Sequence, residues 1–145
     1  MLEVGRPVDS KYPINSPFGG EPRELIIDGK KIKQNRPHQG IDFKCPTGTK
    51  VAAVAPGKIL KVGLQDDSDS KVGLGLRVIQ QFEFENEQYI CCYGHLSKLY
   101  VKENDLVENL QYVGESGNSG NSEGPHLHVQ FRKLDTSNWI DAKFI

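Results

Sequence analysis

Four histidines and one aspartate carry the chemistry this sequence can offer. His126-Leu127-His128 sets two imidazoles two residues apart. In a strand, residues i and i+2 share one face roughly 6.5–7 Å apart, so both rings face one site while Leu127 turns into the core. One ring can bind a metal while the other handles a proton, or both can bind; the spacing leaves the choice open. Pro37-His38-Gln39-Gly40-Ile41-Asp42-Phe43 puts an imidazole and a carboxylate four residues apart. Pro37 and Gly40 make a helix poor here. A turn feeding a strand is expected instead, with Asp42 facing away from Ile41 and Phe43. His95, in Tyr93-Gly94-His95-Leu96-Ser97, follows an apolar strand and is expected to be exposed enough to titrate. Read one by one, these residues also fit a hydrogen-bonded turn at His38 and Asp42 and a surface histidine at His95.

Together they imply more. Two His and one Asp give zinc three protein ligands and leave the fourth position for water, the arrangement of a catalytic rather than a structural site. Zinc lowers the pKa of its water toward ~7. The two remaining histidines match the proton carrier and the oxyanion donor that amide hydrolysis needs.

The elements around them read as strands. Glycine (15) and proline (8) divide the chain into short pieces. Thr49 to Ala55, the turn Pro56-Gly57 and Lys58 to Val62 predict a hairpin. Leu76 to Phe84, the polar turn Glu85 to Gln88 and Tyr89 to Tyr93 predict a second, and His126 to Phe131 alternates again. No window of twelve residues carries a 3.6-residue apolar stripe. The fold class is therefore mainly β, a single domain with an antiparallel sheet core. One short helical turn is expected at Leu96 to Tyr100. The loop Leu64 to Gly73 holds Asp66, Asp67 and Asp69, but lacks the Gly and Glu positions of a calcium loop and reads as solvated surface. Glu115 to Pro125, rich in Gly, Ser and Asn, leads straight into His126.

Composition removes several classes. The 145 residues suit one domain, and a formal charge of -1 gives no general pull toward nucleic acid. No apolar run reaches the ~18 residues of a membrane span. Met1 to Pro7 lacks a basic region followed by an apolar core and does not read as a signal peptide. Cys45, Cys91 and Cys92 are odd in number and partly adjacent, so they are expected as small core residues rather than a disulfide framework.

The ordered set resembles the lysostaphin-like (M23) zinc endopeptidase family. The family's His-x-x-x-Asp stands here as His38 to Asp42, its later His followed by Leu and Ser as His95-Leu96-Ser97, and its closing His-x-His as His126-Leu127-His128. Gly48-Thr49, Ala55-Pro56-Gly57, Asn118-Ser119-Gly120 and Gly124-Pro125 also match, as does the opening Ile14 to Gly19. The match runs over about residues 12–131 of a single domain spanning 1–145. By this resemblance one Zn2+ per chain is held by His38, Asp42 and His128 in a groove walled by loops, and His95 and His126 are the catalytic histidines. The implied activity is hydrolysis of peptide bonds in bacterial peptidoglycan, stem peptide or cross-bridge, at the cell wall. It implies no nucleic-acid partner, and nothing demands more than a monomer. The chain would suit a phage lytic module or an excised catalytic domain.

The chain departs from many relatives in carrying Gln130 where they have Glu two residues past the closing His, and Gly20, Glu21 and a later Arg23 where they have an Arg soon after Phe-Gly. The competing readings are a non-catalytic, wall-binding or regulatory relative, and a biotinyl or lipoyl carrier domain. The first usually lacks a ligand, and none is lacking here. The second needs an exposed Lys at a hairpin tip, and no such tip is evident.

Overall fold

Alternation with period two shapes the second half of the chain. In Leu127 to Lys133, Leu127, Val129 and Phe131 are fully buried, while His128, Gln130 and Arg132 face the other way. The computed structural model describes residues 1–20, 24–33 and 37–145, so Glu21 and Arg23 lie outside the described residues. Among the described residues there is no helix. The fourteen strands among the described residues are β1 (Glu3–Val4), β2 (Ile14–Ser16), β3 (Glu24–Ile27), β4 (Lys30–Lys33), β5 (Ile41–Phe43), β6 (Lys50–Ala52), β7 (Gly57–Leu64), β8 (Leu76–Phe84), β9 (Glu87–Leu99), β10 (Leu106–Val107), β11 (Tyr112–Ser116), β12 (Leu127–Lys133), β13 (Trp139–Ile140) and β14 (Lys143–Phe144).

The main sheet runs in the order β10-β7-β8-β9-β12-β5-β2, and its neighbours are antiparallel. β11 pairs with the far half of β9 and with β6, β13 adds to β12, and β1 and β14 pair in parallel. The core gathers Phe43, Val51, Val54, Ile59, Val78, Phe82, Tyr93, Leu96, Val113, Leu127, Val129 and Phe131. Phe131 sits edge-on to Phe82 at 6.4 Å between ring centres. Cys45, Cys91 and Cys92 are all free and buried, as their number and spacing imply. The second expected hairpin is present as β8 and β9. The loop after Leu64 is mostly exposed.

Two local expectations fail. The first concerns the strands around Pro56-Gly57, which do not pair with each other: β6 pairs with β11, and β7 with β8 and β10. Gly57 answers to a close crossing, not a hairpin turn. A Cβ there would lie 1.9 Å from the Gln81 carbonyl oxygen of β8. A buried network holds this corner apart from β7. Val54 N–H donates to the Tyr93 hydroxyl at 3.0 Å, that hydroxyl donates to Gln80 Oε1, and Gln80 Nε2 donates to the Ala55 carbonyl at 2.6 Å. The second concerns Leu96 to Tyr100, which forms no helical turn. β9 continues through Leu99, its far half paired to β11.

Candidate active site

β12 lies between β5 and β9, and that order assembles the site. His128 stands directly opposite Asp42 on one side and Gly94 on the other. The turn before β5 brings His38 alongside, and His95 follows Gly94 on β9. Asp42 is on the face opposite the core residues Ile41 and Phe43, as expected of a strand. His38, Asp42 and His128 are 4%, 1% and 6% exposed, so all three polar groups sit inside the protein. Their ligand atoms lie within 4.8 Å of one another. His38 Nε2 is 3.3 Å from His128 Nδ1 and 3.6 Å from Asp42 Oδ1, and His128 Nδ1 is 2.9 Å from Asp42 Oδ1.

Hydrogen bonds on the far side of each ring decide which nitrogen faces this cluster. A carbonyl oxygen only accepts, so a ring nitrogen bonded to one must carry the proton. His38 Nδ1 donates to the Pro17 carbonyl at 3.2 Å and lies 3.1 Å from Ser16 Oγ, which leaves the Nε2 lone pair facing inward. His128 Nε2 donates to Gln130 Oε1 at 2.9 Å, leaving the Nδ1 lone pair facing inward. Two lone pairs and a carboxylate oxygen therefore converge, a set that a cation satisfies. Tetrahedral zinc with bonds of about 2.0–2.2 Å needs donors roughly 3.3–3.5 Å apart, and the spacings of 2.9, 3.3 and 3.6 Å bracket that value. Gly40 makes room for this: a Cβ there would lie 2.5 Å from His128 Cε1.

The other two histidines flank the cluster. His126 is bridged to Gly117, its Nδ1 donates to the Gly124 carbonyl at 2.8 Å, and its Nε2 lies 3.8 Å from Asp42 Oδ1. His95 has a φ of 60°, a left-handed conformation uncommon outside glycine. The cause is a β-bulge: Leu76 pairs with Leu96 but Val78 with Tyr93, so β9 carries one extra residue. The bulge turns the His95 ring to within 4.6 Å of the His126 ring and 5.9 Å of the His128 ring, centre to centre. His95 is thus not the exposed residue expected from its place after an apolar run; it is 4% exposed. Burial first, then the neighbouring His126 and His128, push its pKa down to about 3. At neutral pH the ring is neutral. Its Nδ1 donates to the Ser119 carbonyl at 2.6 Å, so Nε2 is the basic nitrogen.

Residues 36–141 match the family described as Peptidase family M23. The chain belongs to that family. It is 37% identical over 124 residues to the peptidoglycan DD-endopeptidase ShyA of Vibrio cholerae, covering 86% of this chain and 26% of that protein. It is likewise 37% identical over 114 residues to lysostaphin of Staphylococcus simulans, covering 78% of this chain and 20% of that one. This M23 chain thus spans 26% and 20% of the length of those two relatives. Among solved structures it resembles the catalytic domain of S. simulans lysostaphin, with a TM-score of 0.71, 32% identity, and 90% and 89% of the two chains covered. A zinc-containing peptidase from V. cholerae also gives a TM-score of 0.71, at 29% identity over 93% of this chain and 37% of that one.

The five residues singled out in the sequence come together in one place in this M23 fold. What sequence reasoning missed is the orienting role of the groups behind them: Ser16 and Pro17 behind His38, Gln130 behind His128, Ser119 behind His95. Ser16, Pro17 and Ser119 lie in stretches that carry the family resemblance, and Gln130 stands where many relatives have Glu. Beside His38 a cleft of about 500 Å3 is lined by Phe18, Pro37, His38, Gln39, Ser137, Asn138 and Trp139.

Proposed function

We propose that this domain is a zinc-dependent endopeptidase that hydrolyses peptide bonds in bacterial peptidoglycan, with one zinc per chain. The observation that carries the reading is the convergence of His38 Nε2, Asp42 Oδ1 and His128 Nδ1 at 2.9–3.6 Å, with both rings held in the tautomer that points a lone pair inward. His38, Asp42 and His128 would hold the metal. When bound, zinc supplies Lewis acidity, which makes water acidic near neutral pH and polarises a carbonyl.

The chain's own groups do the rest. His95 is neutral and offers Nε2 as a base within reach of the cluster. His126, with its proton fixed on Nδ1, likewise presents Nε2 on the same side. Between them they take up a proton from the attacking water, pass one to the departing amine, and in protonated form stabilise the oxyanion. The burial that keeps His95 neutral also thins the water around the reacting groups. The cleft lined by Phe18 and Trp139 would receive the peptide beside His38. The working place is the bacterial cell wall, outside the cytoplasmic membrane, and a monomer suffices. No helix among the described residues is long and apolar enough to cross a membrane.

The test joins metal content with release of soluble products from purified peptidoglycan. One zinc per chain is expected, with activity lost on chelation and restored by zinc. His128→Ala should bind no zinc. His95→Ala should keep the metal and lose about 10²–10⁴-fold in rate, the usual contribution of a proton-transfer group. Bound zinc without cleavage of several wall chemistries would instead identify a wall-binding or regulatory relative, and full zinc occupancy in His128→Ala would refute the ligand set.

A further inference from the structure

The loop after β11 does more than lead the chain to His126. Ser119, within it, makes three contacts at the β9 bulge. Its Oγ accepts from Leu76 N–H at 3.0 Å and donates to the Leu96 carbonyl at 2.6 Å. Leu76 and Leu96 face each other across β8 and β9 on one side of the bulge. Its carbonyl accepts the His95 Nδ1 proton at 2.6 Å. One residue thus ties the two strands beside the bulge and holds the ring that the bulge displays. His95 also donates its own N–H to the Leu74 carbonyl at 2.6 Å, on the loop before β8.

Ser119 is itself held by the packing of two loops. Gly120 N–H donates to the Ser70 carbonyl at 2.7 Å and Asn121 N–H to the Gly73 carbonyl at 2.8 Å. A Cβ on Gly75 would lie 2.2 Å from Gly120 N, and one on Gly120 would lie 2.4 Å from the Gly73 carbonyl oxygen. Gly75 and Gly120 have φ of 63° and 79°. The loops therefore meet backbone to backbone, at a distance only glycine allows. The solvated loop with its three aspartates, which the activity does not otherwise use, becomes the footing of this contact.

We propose that Ser119 is a positioning residue for His95, fixing its proton on Nδ1 and so aiming Nε2 at the metal cluster. The proposal rests on the catalytic reading of His95. A bulge residue with left-handed backbone is not held by regular ladder pairing, so its side-chain direction depends on such outside contacts. Small misplacement of a reacting group costs about 10–100-fold in rate without altering substrate binding.

The test uses 15N-histidine-labelled, zinc-loaded protein as wild type, Ser119→Ala and Ser119→Thr, with the His95 resonances identified through His95→Gln. In the wild type the His95 Nδ1 proton should be visible and slow to exchange. Ser119→Ala should speed that exchange at least about 10-fold and lower kcat about 10–100-fold. KM and zinc content should stay within about twofold, and Ser119→Thr, which keeps the hydroxyl, should restore both. An unchanged His95 proton signal in Ser119→Ala would overturn the proposal, as would zinc loss in step with the loss of kcat. Should the wild type cleave no wall substrate, the proposed activity falls, and the exchange measurement still decides for or against Ser119.

Discussion

In the proposed zinc site, His128 would bind through Nδ1, because Gln130 occupies its other ring nitrogen. Gln130 Oε1 takes the Nε2 proton at 2.9 Å, so Nδ1 meets Asp42 and His38. A Glu in that position would accept the same proton with a full negative charge and raise the ring's basicity further; the neutral amide orients the ring with less electronic push. Removing the acceptor frees the tautomer. Gln130→Leu is therefore expected to weaken zinc affinity about 10–100-fold, measured by competition with a calibrated chelator, with little change in folding. An unchanged affinity would show that packing alone sets the His128 ring. All five residues of the proposed site were legible in the sequence as candidates, because their types and spacing are themselves the signal. Their orienting partners were not. Pro17, Gly124 and Ser119 act through backbone carbonyls, which every residue possesses and no side chain advertises.

At the scale of elements, β12 has two faces with separate duties. His126, His128 and Gln130 face the site, while Leu127, Val129 and Phe131 are fully buried in the core. Stability and chemistry should therefore separate on this strand. Leu127→Ala is expected to cost about 2–5 kcal/mol, since a buried leucine leaves a cavity behind. That corresponds to a Tm lower by roughly 5–15 °C for a chain of this size. Zinc stoichiometry measured well below the lowered Tm should stay at one, because no ligand has moved; loss of metal there would mean that the faces are coupled. This strand and the β8–β9 hairpin were legible because their alternation and turns are local. The pairing of β6 with β11 was not, because a Pro-Gly corner is the same whether the strands beside it pair or part, and the deciding contact is Gly57 against Gln81 on another strand. Leu96 to Tyr100, expected as a short helical turn, instead continues β9 through Leu99, held by ladder bonds to β11, a partner that the local pattern does not reveal. Asp28-Gly29, between Leu25-Ile26-Ile27 and Lys30-Lys31-Ile32, is a hairpin signature, and its φ values of 52° and 76° are those of a two-residue turn joining β3 to β4.

For the molecule as a whole, the cluster joins segments that are far apart in sequence: His38 and His128 are 90 positions apart. In the unfolded chain these donors form no site, so a metal held by them would bind the folded form preferentially and stabilise it by mass action. Without a cation, folding instead presses two ring lone pairs and a carboxylate oxygen together in a buried space. The site then works against the fold that builds it. Free zinc at 100–1,000 times its dissociation constant adds about 2.7–4.1 kcal/mol, which for a domain of this length is roughly 5–15 °C in Tm. Calorimetry of the protein with and without a chelator should show a fall of that order, reversed by adding zinc. His128→Ala should show one Tm in both conditions. The two scans together separate a site that needs its metal from one that merely tolerates it. Equal Tm values for the wild type with and without zinc would mean that the cluster satisfies itself through shared protons, and would remove the thermodynamic ground for reading it as a metal centre.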